Sequence, residues 1–225
     1  MSKIDYRKIR KEKTLENTEK VLLEIDSDQM NEKISNWAEK FGFTFDQVKA
    51  KIKQDEMFRC CFIKDPSRQN FAEKEVEKYL KTIHGVQNLK KLPTAGPKAL
   101  YILSDGEMVS GISLEQGSKS EQESTKSLDF FLNWTSSSNN TYSIYITHKY
   151  TYEKGGSQDN QYFDALKFLK NASLNQLKDH VFIALLDGEY YEKGKLVSAN
   201  NCYEVFHKIK AISSEEIEIF LNSLP

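Results

Sequence analysis

Apolar residues recur at helical spacing through residues 1–60 of the chain. The segments LENTEKVLLEI (15–25) and MNEKISNWAEKFGF (30–43) place apolar residues three and four positions apart, and Gly42 marks a helix end. A further helical run follows in FTFDQVKAKIKQDEMF (43–58), where Asp46 is the predicted N-cap. These patterns predict a helical N-terminal region.

The next helix is predicted over residues 64–83, KDPSRQNFAEKEVEKYLKTI, because one side of it is apolar and Asp65-Pro66-Ser67 is typical of a helix start. After Pro93 the pattern changes to that of strands. Asp105-Gly106 separates two alternating runs in KALYILSDGEMVSGISL (98–114), which predicts a β-hairpin.

Two further alternating runs, SLDFFLNW (127–134) and TYSIYITHKY (141–150), are joined by a turn-like TSSSNN and predict neighbouring strands. GGSQDNQ (155–161) then leads into a helix that is expected to bury Phe163. HVFIALLDGEYY (180–191) is apolar enough for a strand that is covered on both faces. The order of elements predicts an α/β fold with a mixed central sheet flanked by helices.

The end of the chain carries a separate local signal. Ser213 is followed three positions later by Glu216, and an apolar run comes next. This spacing is a capping box and predicts a C-terminal helix.

Composition narrows the class of protein. The chain has 225 residues, of which 39% are hydrophobic, so one large domain or a domain with a small accessory part is expected. Lys and Arg number 32 against 33 Asp and Glu, so net charge argues neither for nor against a nucleic-acid partner. Three cysteines without metal-ligand spacing argue against a disulfide framework or a zinc site. The polar N-terminus and the lack of a long apolar run predict a soluble cytoplasmic protein with no membrane segment.

An acid and a lysine lie at the ends of the two strands on either side of TSSSNN. If those strands are antiparallel neighbours, Asp129 lies near Thr147 and Lys149, which share one face of their strand. A carboxylate can hold Mg²⁺ together with waters and phosphate oxygens. A lysine beside it can orient or help to deprotonate a water and stabilise developing negative charge. These residue types suit metal-assisted hydrolysis of a phosphodiester.

The arrangement resembles the PD-(D/E)xK nuclease superfamily, and in particular its type II restriction endonucleases. The matching residues are Leu128-Asp129 for the first half of the motif and Thr147-His148-Lys149 for the second. GGSQDNQYFDALKFL is similar to the glycine- and amide-rich turn into a helix that follows this strand in several restriction enzymes. RQNFAEKEVEKYL is similar to the helix before the sheet, which often contributes an acid to the metal site. The resemblance covers roughly residues 64–190.

The resemblance implies a restriction-endonuclease-like fold and Mg²⁺-dependent, sequence-specific double-strand cleavage of DNA. It implies Asp129, Lys149, Glu73 and Thr147 as catalytic residues, with Asp129 and Glu73 as metal ligands. Contacts to double-stranded DNA are expected from a larger set of glycines, amides and a serine: Gly155, Gly156, Ser157, Gln158, Asn160 and Gln69. Cutting both strands of a palindrome favours a homodimer. A restriction enzyme normally acts beside a DNA methyltransferase of the same specificity.

The chain departs from the family pattern at two positions. Leu128 stands where the pattern has proline, and Thr147 stands where it has Asp or Glu. A threonine hydroxyl brings no charge to a metal. Glu73 is therefore the candidate for the missing acid, and otherwise metal binding is weak or the site is inactive.

Alternatives remain open for the function and for the N-terminal region. A repair or recombination nuclease with looser sequence preference fits the same motif, and Thr147 favours a catalytically inactive DNA-binding module. A small-molecule enzyme lacks support, because the sequence has no P-loop, no GxGxxG and no nucleophile elbow. Residues 1–62 are expected either to pack on a nuclease core at 63–225 or to help hold DNA with their lysines.

Two polar residues near the motif are expected to be structural. His148 alternates with Lys149 and so lies on the opposite strand face, which predicts no catalytic role. Asp187, with Glu189 two positions later, is expected to form a turn and not a metal pair.

Overall fold

The computed structural model describes residues 4–66, 70–115, 124–151, 156–191, 194–201 and 208–225. The chain forms two compact units, one spanning Asp5–Lys74 and the other containing Glu75–Pro225.

The first unit is helical, as the periodicity predicted. Its helices are α1 (Tyr6–Leu23), α2 (Asp28–Phe41), α3 (Phe45–Gln54) and the short α4 (Glu56–Arg59), and α5 (Phe71–Thr82) begins at its end. One apolar core joins α1, α2, α3 and the segment after α4, through the buried residues Val21, Ile25, Met30, Ile34, Ala38, Val48, Ile52 and Phe62.

Two predicted helix starts in this unit are wrong. The N-cap of α3 is Thr44 and not Asp46, because the Thr44 hydroxyl accepts the Gln47 N–H while the Gln47 side chain accepts the Thr44 N–H. Helix α5 begins at Phe71, later than the predicted Asp65-Pro66-Ser67 start. Asn70 has a left-handed φ of 51°, which a continuous α-helix does not accommodate.

The second unit is built on a five-stranded mixed sheet with helices beside it. Its strands lie in the order β1 (Val86–Lys91), β4 (Phe130–Thr135), β5 (Thr141–Tyr150), β6 (His180–Asp187) and β7 (Ile209–Ile212). The β1–β4 and β4–β5 pairs are antiparallel, whereas β5–β6 and β6–β7 are parallel. The mixed α/β fold that the sequence predicted is therefore confirmed.

The predicted hairpin is a separate two-stranded sheet between β1 and β4 in the chain. It consists of β2 (Leu100–Ile102) and β3 (Met108–Ser110), paired antiparallel. Gly106 has a φ of +86° in the connection, as the Asp-Gly signal predicted. The short helix α6 (Gly111–Glu115) follows directly.

The parallel strands are connected by helices that bury small and aromatic side chains against them. Helix α7 (Gly156–Ala172) joins β5 to β6, and α8 (Gly194–Asn201) lies between β6 and β7. Tyr162, Ala165, Phe168, Leu169 and Ala172 belong to the same buried cluster as Phe182, Ala184 and Leu186 of β6. Phe163, expected in this core, is 62% exposed because the buried stripe of α7 runs through its neighbour Tyr162 instead.

Strand β6 is the centre of this packing. Every residue of it after His180 is buried, which confirms a strand covered on both faces. Ser213 and Glu216 form the predicted capping box before the C-terminal helix α9 (Ile217–Asn222). Among the residues that the structure describes, none of the helices combines the length and apolar character that crossing a bilayer requires.

The turn after β6 depends on one glycine. Gly188 has a φ of +105°, and a Cβ built on it would lie 2.0 Å from the carbonyl oxygen of Thr151. The chain is held there because the Thr151 N–H donates to the Asp187 carbonyl at 2.9 Å. Any side chain at this position must displace backbone at the ends of both β5 and β6.

We expect Gly188→Ala to lower the free energy of unfolding of the second unit by about 2–4 kcal/mol, because it combines a strained φ with a backbone clash. Urea unfolding followed by circular dichroism measures this change. Gly194→Ala is the matched control, since a Cβ there meets nothing within 4 Å. Equal stability of the two variants would contradict this account of the turn.

Candidate functional site

Asp129 lies where β4 begins, and it is joined to the strands on both sides of it. Its N–H donates to the Ile146 carbonyl at 2.9 Å, and its own carbonyl accepts the Leu92 N–H at 2.9 Å. The β4–β5 register pairs Phe130 with Ile146, so Asp129 lies opposite Thr147. The predicted antiparallel pairing of the Asp and Lys strands is therefore confirmed.

Three donors of β5 converge on one oxygen of this carboxylate. Asp129 Oδ2 accepts the His148 backbone N–H at 2.6 Å and the Thr147 hydroxyl at 3.3 Å. Lys149 Nζ lies 3.6 Å from the same oxygen. We call Asp129, Thr147 and Lys149 the acid–lysine cluster.

The cluster is shielded from solvent. The side chains of Asp129 and Lys149 are 10% and 15% exposed, and Thr147 is buried. Water screens a charge pair weakly at such low exposure, so both charges act strongly on anything that enters the site. Among the described residues, these three contacts of the carboxylate all fall on Oδ2.

A second buried carboxylate supports the cluster through His148. The His148 ring points away from Asp129, as the strand alternation predicted, and its Nε2 lies 3.1 Å from Asp187 Oδ2. Asp187 Oδ1 accepts the Ser214 N–H at 2.9 Å. His148 thus has its backbone fixed by one acid and its ring fixed by another.

Sequence reasoning missed this role of Asp187. It was expected in a turn, yet it is the last residue of β6 and is 4% exposed. The parallel register places it beside Tyr150, at the same edge of the sheet as Lys149. A carboxylate that ends a strand of otherwise apolar residues was the available signal, because such an acid needs buried donors.

Asp159, within GGSQDNQ, is engaged by α8 and the turn before it. It accepts a hydrogen bond from the Tyr190 hydroxyl, and Lys195 Nζ lies 3.2 Å from the same oxygen. The hydrogen bond from Tyr190, and next the one from Lys195, lower the pKa of Asp159. Asp159 thus links the first turn of α7 to Tyr190 and to Lys195 of α8.

Some of the residues predicted to contact DNA lie at the start of α7, and others lie outside the described part of the chain. Gln69 and Gly155 lie outside the described residues. Gly156, Ser157 and Gln158 open α7, and Asn160 is exposed in its first turn.

Glu73 lies in the first turn of α5, within the Asp5–Lys74 unit. That Glu73 supplies the second acid beside Asp129 stays a prediction.

The donor atoms limit what metal chemistry the cluster can support. Within the described ranges, no group of three or more His, Cys, Asp or Glu side chains is arranged to hold a metal ion. The cluster itself offers one carboxylate and one hydroxyl. A metal ion at the cluster would have to take its other ligands from outside these residues.

Comparisons with known proteins do not add to this geometry. No protein-family model matches the chain. A search of curated proteins gives no significant match, and neither does a search of solved structures.

We expect Asp187→Ala to lower the free energy of unfolding by about 2–4 kcal/mol, because the buried Ser214 N–H and His148 ring lose their acceptor. Asp179→Ala, an exposed acid just before β6, is the control and should change stability little. Chemical denaturation of both variants measures the difference. If Asp187→Ala leaves the free energy of unfolding unchanged, the position of His148 does not depend on this carboxylate.

Proposed function

We propose that this chain is a Mg²⁺-dependent, sequence-specific deoxyribonuclease of the PD-(D/E)xK type, acting as a type II restriction endonuclease. The observation that carries the proposal is the convergence of Asp129, Thr147 and Lys149 at the junction of β4 and β5. Asp129 and Thr147 are buried, and the Lys149 side chain is 15% exposed, at the ends of two paired strands.

The order of elements supports the same proposal. The chain runs α5, β1, β4, β5, α7 and β6, with the β2–β3 hairpin placed between β1 and β4. The Asp strand is antiparallel to the Lys strand, which is followed by a helix and a parallel strand. The resemblance implied a helix, a hairpin, the Asp strand, the Lys strand, a helix and a strand in this order, and it did not include β1. A restriction-endonuclease-like fold is part of the proposal.

Asp129 is the residue of the cluster that would hold Mg²⁺, and Glu73 is the proposed second acid. Mg²⁺ often uses only one or two carboxylates, so a single acid in the cluster fits it. Bound metal would supply positive charge that polarises the phosphodiester.

The protein's own groups have separate roles in this proposal. Lys149 would donate hydrogen bonds to the attacking water or to a phosphate oxygen, where its charge would stabilise the developing negative charge. The His148 N–H and the Thr147 hydroxyl fix the orientation of the Asp129 carboxylate. The low exposure of the cluster makes each of these interactions stronger than in open solvent.

The assembly and the partners belong to the proposal as well. A two-fold homodimer would match a palindromic site, since each copy would cut one strand. Double-stranded DNA is the substrate, and a methyltransferase of the same specificity would protect the host DNA. A repair or recombination nuclease would use the same cluster with looser sequence preference.

A catalytically inactive DNA-binding module is the second candidate. Thr147 favours it, because this position supplies a hydroxyl where the family pattern has an acid. The inactive module would bind DNA without cutting it, and its DNA binding would be indifferent to Lys149→Ala.

The first test is cleavage of a long unmethylated DNA with and without Mg²⁺. We expect discrete fragments, and a loss of roughly 100-fold or more in rate for Asp129→Asn and for Lys149→Ala. Lys178→Ala removes an exposed lysine before β6 and should cleave like the wild type. A smear would favour the repair-type nuclease, and DNA that is bound but uncut would favour the inactive module.

The second test restores the missing acid. We expect Thr147→Asp to lower the melting temperature without metal, because it places a second carboxylate beside Asp129. It should also enlarge the rise in melting temperature that Mg²⁺ produces, since metal binding to the folded state stabilises it. Differential scanning fluorimetry with increasing Mg²⁺ measures both effects, with Thr147→Asn as the uncharged control. Equal Mg²⁺ responses in all three proteins would count against a metal at Asp129.

A further inference from the structure

Helices α2 and α3 are joined by a tight turn of three residues, Gly42 to Thr44. Gly42 has a left-handed φ of 73°, and the Phe43 N–H donates back to the Ala38 carbonyl at 2.9 Å. The capping box between Thr44 and Gln47 then starts α3 at once. Both sides of the turn are therefore fixed by hydrogen bonds, and the two helices have a defined connection.

The pair packs on α1 around one small core. Val21 and Ile25, near and after the end of α1, belong to the same buried cluster as Ile34 and Ala38 of α2. Val48 and Ile52 fill the same core from α3 and are 2% and 0% exposed. A short glycine turn between the last two of three helices is the connection that helix-turn-helix motifs use.

The outer face of α3 carries groups that suit base edges. Gln47, Ala50, Lys51 and Gln54 are exposed. Gln47 lies three residues before Ala50 and four before Lys51, and Gln54 lies four and three residues after them, so the four side chains share one face of the helix and form a stripe. Amide side chains pair with adenine in the major groove, and lysine pairs with guanine. Within the molecule, Lys51 Nζ lies 2.9 Å from Asp55 Oδ2, and the Gln47 side-chain oxygen accepts the Thr44 N–H. The Gln47 amide and the Lys51 ammonium each have further N–H donors for a base edge. Ala50 leaves room for a close approach in the middle of this stripe.

Charge and exposed apolar surface lie beside the stripe. Lys53 is exposed on α3, and Lys40 is exposed at the end of α2. Phe41 and Phe43 are 50% and 53% exposed where α2 meets the turn, and both contact the Trp37 ring. Basic side chains complement phosphate, and exposed aromatic rings next to them indicate a surface that a partner covers.

We propose that α3 is a recognition helix that enters the major groove of double-stranded DNA, with its Gln47, Lys51 and Gln54 face toward the bases. Lysines at the sides of the helix contact phosphates and orient it on the duplex. The proposal concerns the Asp5–Lys74 unit and does not rest on catalysis by the acid–lysine cluster. It assigns sequence reading to a unit other than the one that carries the cluster.

The test measures DNA binding by the full chain in EDTA, so that cleavage does not interfere. Selection from a pool of random-sequence duplexes gives the preferred site, and fluorescence anisotropy gives affinity as salt is varied. We expect Lys51→Ala with Lys53→Ala to weaken binding by about tenfold. The slope of log affinity on log salt should fall by about one, because Lys53 contacts phosphate whereas Lys51 faces a base. Lys8→Ala with Lys11→Ala removes the same charge from α1 and should leave both quantities near wild type.

A second variant tests base reading. Gln47→Glu keeps an acceptor for the Thr44 N–H, so the cap of α3 survives, but it removes the amide donor. We expect it to change the selected sequence, with the α-helical circular dichroism signal unchanged. The proposal is overturned if α3 variants bind with wild-type affinity, salt slope and selected sequence. It is also overturned if the wild type does not bind duplex DNA. A change in self-association of the α3 variants, measured by sedimentation, would then show that this face contacts a second copy of the chain. A chain that binds DNA through α3 yet never cuts it would contradict only the catalytic proposal.

Discussion

The short hydrogen bond from the His148 N–H to Asp129 Oδ2, at 2.6 Å, is the interaction on which the candidate site depends. A carboxylate that is almost fully buried is costly unless donors meet it. Here a backbone N–H, a hydroxyl and an ammonium meet the same oxygen, and all three come from consecutive residues of β5. The backbone donor is the most important, because it cannot rotate away and because its 2.6 Å contact is the shortest of the three.

This interaction also fixes the pairing of the two strands. A slip of one residue in β4 against β5 would turn Thr147 and Lys149 to the opposite face and leave Asp129 buried without its donors. The far side of β5 has its own constraint, because the His148 ring bonds Asp187 at the end of β6. Asp187 in turn holds the Ser214 N–H, so the edge of the sheet near Lys149 is tied to the segment before α9. The position of Lys149 is therefore fixed by contacts among β4, β5 and β6 and by the segment before α9.

Some of this could be predicted from the sequence, and the reason differs for each part. The alternating runs placed Asp129 near Lys149 because period-two patterning and a short turn leave few ways to pair neighbouring strands. The role of Asp187 was missed because it depends on the parallel β5–β6 pairing across α7, which connects residues far apart in the chain. The exposure of Phe163 was missed because a one-residue rotation of α7 exchanges it with Tyr162, and periodicity alone does not determine such a rotation. Thr44 was overlooked as the N-cap for a similar reason, since both it and Asp46 are acceptable capping residues.

Thr147 connects the two proposals. With one acid and one lysine, the cluster has almost no net charge to attract a cation, whereas a second acid would leave it negative. On the proposed function, the missing negative charge comes from the DNA phosphate, which can supply oxygens to the metal. Metal binding and DNA binding then strengthen each other, since a coupling between two ligands is reciprocal. If both proposals hold, activity would be gained only where DNA is held firmly, and the proposed recognition helix α3 would determine where that is.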